Sequence, residues 1–213
     1  MSLSDWLTIL ELWLGRLGGV AGIGTLAVAL WGFWQQRAHT AGRETGAARR
    51  LLRWPLLFAA TVIYVGICVF LWKPIPLVLS TITRAITLFV GVLLYFPALA
   101  LYLWGLRTLG KMFSAASGFG VRLFADHRLV MTGPYAYVRH PMYLAVILAG
   151  FGGMLMYKTW AMVFFALNMF GLIIRARREE QALEVEFPKE WEAYCRCVPA
   201  WIPRLLRKEK DNV

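Results

Sequence analysis

The chain alternates between long apolar runs and short segments rich in arginine and lysine. A helix that crosses a bilayer needs about 20 mostly apolar residues. Five runs reach or approach this length, and they cover residues 12–34, 54–72, 85–106, 141–157 and 160–174. The pattern predicts an all-α integral membrane protein with about five transmembrane helices.

The short connections refine this prediction. Only Lys158 and Thr159 separate the last two runs, so we expect these helices to form a tight antiparallel hairpin. Pro97 interrupts the third run, and the apolar segment 75–79 is too short to cross a membrane. Small residues let helices approach closely, and two groups of glycines favour bundle packing or, alternatively, a dimer interface: Gly18, Gly22 and Gly24, and Gly150, Gly152 and Gly153.

Composition supports a membrane protein. Hydrophobic residues make up 59% of the 213 residues and the mean hydropathy is +0.57, whereas soluble domains are about 45–50% apolar. The net charge of +11 is spread between apolar runs, which argues against a nucleic-acid-binding face. Asp5 and Glu11 near the N-terminus favour a retained first span over a signal peptide.

Basic residues predict the orientation, because cytoplasmic loops carry an excess of lysine and arginine. The connection 35–53 holds five arginines, the connection 107–140 holds five lysines and arginines, and the tail from residue 175 holds nine. The other side carries Lys73, Arg84 and Lys158. We therefore predict an outside N-terminus and a cytoplasmic C-terminus, with Arg16 paired to Glu11.

Residues 127–143 carry the main functional signal. Two histidines, two arginines and three tyrosines crowd this segment directly before an apolar run. Such residues at a membrane boundary indicate a functional site. The order His127-x-Leu129-Val130, four residues, Tyr135, four residues, His140-Pro141-x-Tyr143 resembles the cofactor motif of the isoprenylcysteine carboxyl methyltransferases and the related phospholipid methyltransferases. The resemblance implies a membrane enzyme with a cytoplasmic cofactor-binding loop that uses S-adenosylmethionine.

The resemblance also implies which residues bind the cofactor. Leu129 and Val130 would form an apolar slot for adenine, while Tyr135 and Tyr143 would flank the sulfonium through cation–π attraction. Taken singly, these tyrosines also fit an aromatic belt at the membrane surface. The full set expected at the cofactor is His127, Arg128, Leu129, Val130, Tyr135, His140, Pro141, Met142, Tyr143, Glu179 and Glu180.

A second charged group follows the fifth run. Arg175 and Glu179 are four residues apart and share a helical face, so a plain ion pair is one interpretation. The family resemblance implies catalytic roles instead, in which Arg175 orients an anionic substrate group, Glu179 holds the amino end of the cofactor and Glu180 assists. No metal site is predicted, since Cys195 and Cys197 have no further cysteine or histidine nearby.

The tail resembles the family's closing segment. Leu183, Phe187, Trp191 and Tyr194 recur at helical spacing, which predicts an amphipathic helix that caps the pocket or lies on the membrane. The sequence departs from the family pattern at three positions, with Pro188 in place of glycine, Gly120 in place of an amide residue and Phe113 in place of tryptophan. We expect one membrane domain over residues 1–213, with variable spans in 1–106 and, in 107–213, the loop, the hairpin 141–174 and the catalytic tail.

The methyl acceptor stays open at this point. A lipid-like carboxylate, as on an isoprenylcysteine, is favoured because it is already anionic at neutral pH and needs only a cation such as Arg175. A phosphatidylethanolamine-type amine is the alternative, although it requires a base to remove its proton, and a lipid thiol also stays open. A non-catalytic scaffold or transporter subunit is the alternative of another class. The expected partners are a lipid or prenylated acceptor and membrane lipids, with no nucleic acid, and the oligomeric state is left open.

Overall fold

The computed structural model describes residues 2–36, 54–110 and 129–204. In these ranges the chain is helical, and its only strand-like pairing is an isolated bridge between Pro74 and Thr159. A short 3-10 helix spans Gly133–Ala136. Among the described residues, seven α-helices occupy Leu3–Gln36 (α1), Trp54–Phe70 (α2), Thr81–Leu109 (α3), Pro141–Tyr157 (α4), Trp160–Asn168 (α5), Gly171–Glu186 (α6) and Pro188–Cys197 (α7).

Three stretches of the described chain are long and apolar enough to cross a membrane. They are Leu3–Gly32, Thr81–Leu109 and Trp160–Glu186, the last of which joins α5 and α6. Phe58–Phe70 and Pro141–Tyr157 are shorter apolar helices. The prediction of an all-helical membrane protein is thus supported, while the count of five spans stays a prediction.

The first and fifth helices differ most from their predicted bounds. The first helix begins at Leu3, because apolar residues continue upstream of residue 12. The predicted fifth helix is divided: α5 ends at Asn168, and the N–H groups of Met169 and Phe170 bond to carbonyls only three residues earlier, which tightens the turn. The helical path then continues to Glu186 and carries the charged residues 175–180 into α6.

Helix α3 lies at the centre of the bundle and continues through Pro97. Helix α1 runs parallel to it, since Gly22 lies against Tyr95 and Gly32 near Leu106. Helix α4 runs antiparallel to α3, because Gly91 near the start of α3 lies against Met156 at the end of α4, and Gly105 near the end of α3 lies against Met142 at the start of α4. A Cβ at Gly152 would lie 2.7 Å from the main-chain nitrogen of Tyr95. Gly18, Gly22 and Gly152 therefore serve bundle packing inside the chain, as one of the two interpretations predicted.

The hairpin between α4 and α5 is confirmed. Lys158 adopts a left-handed conformation with φ of 50°, and its N–H bonds to the carbonyl of Met154 at the end of α4. The turn is held by residues 73–75, because Ile75 N–H donates to the Lys158 carbonyl and Trp160 N–H donates to the Lys73 carbonyl. The segment 72–80 forms no helix, as its prolines and short length predict.

The predicted pair between Arg16 and Glu11 is wrong. Glu11 accepts from Arg84 at the start of α3 and from Lys158 Nζ at 3.2 Å. Arg16 instead lies over the ring of Trp13, 5.5 Å from its centroid. Residues five apart point to different faces of a helix, so Glu11 turns into the bundle while Arg16 turns away. We call Glu11, Arg84 and Lys158 the opposite-end cluster.

Candidate active site

The segment after residue 129 is pressed against the end of α3. Gly133 has φ of 58°, and a Cβ there would lie 2.6 Å from the Thr108 hydroxyl oxygen. The next residue, Pro134, is fully buried and is the second residue of the short 3-10 helix. Because only glycine combines this φ with this close contact at little cost, the Gly133-Pro134 pair fixes where the loop leaves α3.

The His140-Pro141 pair starts α4. Pro141 occupies the first helical position, where its missing N–H costs nothing, and it is fully buried. His140 is only 6% exposed. Its imidazole stacks on the ring of Tyr143, with the ring centroids 5.6 Å apart and the planes 16° from parallel. The start of α4 thus presents one histidine and one tyrosine side by side.

Tyr143 joins the two charged residues of α6. Its hydroxyl donates to Glu179 Oε2 at 2.7 Å and accepts from Arg175 Nε at 3.0 Å. The Arg175 guanidinium also lies 5.8 Å from the centroid of the Tyr143 ring. Arg175 and Glu179 are therefore linked through a residue of another helix, which a plain i,i+4 ion pair would not require.

Glu180 faces different partners from those of Glu179. Its Oε1 lies 2.9 Å from His140 Nε2 and 3.0 Å from an Arg139 guanidinium nitrogen. A carboxylate at Nε2 favours the tautomer that carries its proton there. Of the stacked ring pair, Glu179 thus binds the tyrosine and Glu180 binds the histidine. We call the following residues the loop-proximal cluster: Arg139, His140, Tyr143, Arg175, Glu179 and Glu180.

Tyr135 is buried beside this cluster. Burial raises the pKa of its hydroxyl, and the nearby charge of Glu179 raises it further, so the hydroxyl stays protonated throughout the physiological range. The main-chain carbonyl of Tyr135 accepts a hydrogen bond from the Tyr194 hydroxyl at 2.6 Å. The bond from Tyr194 therefore holds the main chain of Tyr135, and the buried hydroxyl of Tyr135 offers a hydrogen-bond donor rather than a base.

The tail closes over the loop. Trp191, Tyr194 and Val198 form a buried group with four partly buried residues, which are Leu129, Leu183, Phe187 and Cys195. Beyond α7, the carbonyls of Pro199 and Ala200 accept hydrogen bonds from the N–H groups of Arg139 and His140. Trp201 lies with its ring centroid 5.3 Å from that of His140. This packing supports the interpretation that the tail caps the site.

Pro188 does not disturb the junction. Phe187 ends α6 and precedes α7 with φ of −127°, a value that needs no glycine, and Pro188 is the first residue of α7. The departure from the family's glycine is thus absorbed, because proline is favourable at the first position of a helix.

The predicted site residues fall into four groups. Six lie close together in space: Tyr135, His140, Tyr143, Arg175, Glu179 and Glu180. Three others pack around them, since Leu129 lies beneath α7, Pro141 is buried and Met142 contacts Gly105 of α3. Val130 is half-buried. His127 and Arg128, together with Phe113 and Gly120, lie outside the described residues.

Sequence reasoning missed two residues of this region. Arg139 pairs with Glu180 and lies over the Trp191 ring, and Trp201 packs on His140. Arg139 had a signal in the sequence, because a second base next to His140 matches a second acid next to Glu179. Trp201 had none, since only the fold brings residues 140 and 201 together.

The cluster fits the chemistry of S-adenosylmethionine. An amino group needs a carboxylate, which Glu179 supplies, and a sulfonium is attracted to aromatic rings such as those of Tyr135 and Tyr143. Arg175 offers a planar pair of donors suited to a carboxylate. These groups converge from the loop, α4 and α6, at the end of the bundle opposite Glu11.

A comparison with known protein families matches the part of the chain that carries most of this cluster. Residues 89–185 match the model of the isoprenylcysteine carboxyl methyltransferase (ICMT) family, from within α3 to the end of α6. The nickel-cobalt-cadmium resistance protein NccN of Alcaligenes xylosoxydans xylosoxydans is 36% identical over 105 residues, which are 47% of this chain and 46% of NccN. The cobalt-zinc-cadmium resistance protein CzcN of Cupriavidus metallidurans is 33% identical over 102 residues, which are 47% and 45%. The chain spans about half the length of these curated relatives.

Proposed function

We propose, from the match of residues 89–185 to the model of the isoprenylcysteine carboxyl methyltransferase family, that the chain is a membrane methyltransferase that uses S-adenosylmethionine. The acceptor is a lipid-like molecule, and a carboxylate of isoprenylcysteine type is the leading candidate. The observation that carries the proposal is the meeting of Tyr143 with Arg175 and Glu179, which lie 32 and 36 residues further along the chain and are each joined to it by a hydrogen bond.

Each residue of the cluster has a distinct task. When bound, S-adenosylmethionine supplies an electrophilic methyl group for an in-line displacement. Glu179 holds its amino end, and Tyr143 keeps that carboxylate in place through the 2.7 Å hydrogen bond. Arg175 holds an anionic acceptor in line, which is the positional contribution that such a displacement needs. Packing of the tail over His140 restricts water around the reacting atoms.

The partners of the charged groups near the site favour a carboxylate acceptor over an amine. Arg175 lies beside Tyr143, whose hydroxyl already donates to Glu179. An amine acceptor would need a base to remove its proton. His140 is already engaged, because its ring stacks on Tyr143 and its Nε2 is hydrogen-bonded to Glu180. Phosphatidylethanolamine-type N-methylation is therefore the second candidate.

Cofactor binding is tested by titration with S-adenosylhomocysteine. The wild-type protein in detergent should bind it, and Glu179→Gln should weaken binding at least tenfold, roughly 1.4 kcal/mol. Glu186→Gln is the matched control, because it makes the same change at an exposed position of the same helix. No binding by the wild type, or equal binding by both variants, would refute the proposed cofactor site.

The acceptor class is tested with labelled methionine. Cells that express the wild type or Glu179→Gln are grown with methyl-labelled methionine, and their lipids are compared by mass spectrometry. Label that alkali releases as methanol indicates a carboxyl ester, whereas label that stays on a headgroup nitrogen indicates the amine alternative. No label above the Glu179→Gln background would favour the scaffold class.

We also propose the orientation that the loop charges predict, with the loop-proximal cluster on the cytoplasmic side. Two strongly exposed residues serve as reporters, Val78 in the segment before α3 and Val185 near the end of α6. In a background without the native cysteines, Val78→Cys should react with an impermeant maleimide in intact cells. Val185→Cys should react only after permeabilisation, and the reverse result would invert the topology.

The names of the two relatives support a physiological proposal, a contribution to tolerance of metals such as cobalt and cadmium. Growth under cobalt should be compared in a sensitive host that carries wild type, Glu179→Gln or Glu186→Gln. Tolerance that needs Glu179 would tie it to methyl transfer. Tolerance restored equally by all three would separate the two functions.

A further inference from the structure

Tyr143 links the two residues to which the proposed function gives different ligands. Arg175 faces the acceptor and Glu179 faces the cofactor in that proposal, and the Tyr143 hydroxyl bonds to both. The hydroxyl accepts from Arg175 Nε at 3.0 Å and donates to Glu179 Oε2 at 2.7 Å. A hydroxyl that accepts from a cation becomes a stronger donor, since consecutive hydrogen bonds polarise one another.

The tyrosine ring is itself held in a fixed position. It stacks on His140 with the planes 16° from parallel, and His140 is held by Glu180 at 2.9 Å. The N–H of His140 also donates to the carbonyl of Ala200 in the closing tail. The hydroxyl therefore has little freedom to follow one partner at the expense of the other, which suits a relay between them.

We infer that Tyr143 is a positioning residue that transmits the state of Arg175 to Glu179, so that acceptor and cofactor binding are coupled through one phenol hydroxyl. The inference rests on the proposed function. Engagement of Arg175 by an anionic acceptor changes what it donates to Tyr143, and the strength of the Tyr143–Glu179 bond changes with it. Coupling of this kind is reciprocal, so the cofactor also influences the acceptor site.

A double-mutant cycle on cofactor affinity tests the relay without an acceptor. Arg175→Met removes every donor from residue 175 but keeps an unbranched side chain, and Tyr143→Phe removes the hydroxyl but keeps the ring that stacks on His140. We expect Arg175→Met to weaken S-adenosylhomocysteine binding about fivefold and Tyr143→Phe about tenfold, in the range for the net contribution of a typical hydrogen bond. In the Tyr143→Phe background, Arg175→Met should then have almost no further effect.

Two controls separate a relay from a structural role. Tyr137→Phe makes the same substitution at an exposed tyrosine of the same loop and should leave affinity unchanged. A purely structural Tyr143 would give additive losses in the cycle, because two unrelated defects multiply. Turnover of an S-farnesylcysteine in detergent gives a second readout, in which Tyr143→Phe should lower kcat more than it raises KM for the acceptor.

The outcomes are distinct. Equal effects of Arg175→Met in both backgrounds, or no effect in either, would overturn the relay while the wild-type titration still upheld the cofactor site. A wild type that does not bind S-adenosylhomocysteine would remove the proposed function and the relay with it. Loss of helicity in Tyr143→Phe by circular dichroism would attribute its effect to folding and would also count against the relay.

Discussion

The two ends of the bundle each carry a group of charged side chains, and the groups differ in how their charges are held. In the opposite-end cluster, one carboxylate, Glu11, lies between the cations of Arg84 and Lys158. In the loop-proximal cluster, two adjacent carboxylates, Glu179 and Glu180, bind different partners through Tyr143 and His140. The first arrangement ties α1 to the start of α3 and the end of α4, whereas the second gives each acid its own partner in a stacked pair of rings.

The difference shows how to separate a structural cluster from a candidate site. Charges at a membrane boundary occur in both places, so their presence alone identifies neither. Like charges side by side repel, and an arrangement that maintains two of them needs separate partners for each. That arrangement coincides with the part of the chain that matches the methyltransferase family.

The largest expected effect tests the loop-proximal cluster at Arg175. Arg175→Lys keeps the charge but loses the planar fork of donors, so turnover should fall about a hundredfold. S-adenosylhomocysteine affinity should change only about threefold, because lysine keeps the positive charge beside Tyr143. Methyl transfer and titration are measured on the same preparation, and a larger loss of affinity than of turnover would exchange the assigned roles.

The next effect concerns the turn that delivers the loop to the site. Gly133→Ala should destabilise the protein by about 1–3 kcal/mol, because its positive φ and the close Thr108 hydroxyl both oppose a Cβ. Thermal unfolding in detergent checks this prediction. In a Thr108→Ala background the loss should shrink, since the contact is relieved and only the backbone strain remains. An unchanged loss would mean that Thr108 is not the obstacle.

A smaller effect is expected at the opposite end. Glu11→Gln leaves Arg84 and Lys158 without their carboxylate, at a cost of about 1–2 kcal/mol for side chains that are 21–28% exposed. Turnover per folded molecule should stay within about twofold of wild type. If Glu11→Gln reduced turnover as strongly as a change at Glu179, the contrast between the two ends would be wrong.

The smallest effect concerns the two free cysteines of α7. Burial raises the pKa of the Cys195 thiol, which packs against the buried group of Trp191, Tyr194 and Val198. Cys197 is exposed. A raised pKa leaves less thiolate at a given pH, so Cys195 should react more slowly than Cys197 with a maleimide at pH 7 and gain reactivity as the pH rises. Mass spectrometry after timed labelling measures both rates.

Periodicity and spacing located most of the helices. The bounds of α4 agree with the apolar run 141–157, and the turn at Lys158 follows from the two-residue connection. The bounds of α6 were harder to predict from the sequence, because a charged segment after an apolar run is typical of the end of a membrane helix. Its helix continues in the structure since Arg175, Glu179 and Glu180 meet partners on the loop and α4, which offsets the cost of placing charges there.

The sequence by itself indicated an apolar, helical membrane protein, a resemblance to one family and the residue types of the candidate site, because apolar length and motif spacing are local properties of a chain. Tertiary structure alone decided the partners. Glu11 selects Arg84 and Lys158 over Arg16, Glu180 selects His140 and Arg139, and Trp201 covers His140. The physical reason is that a charge partly removed from water takes whichever partner packing brings within hydrogen-bond distance, and packing joins residues that the sequence keeps far apart.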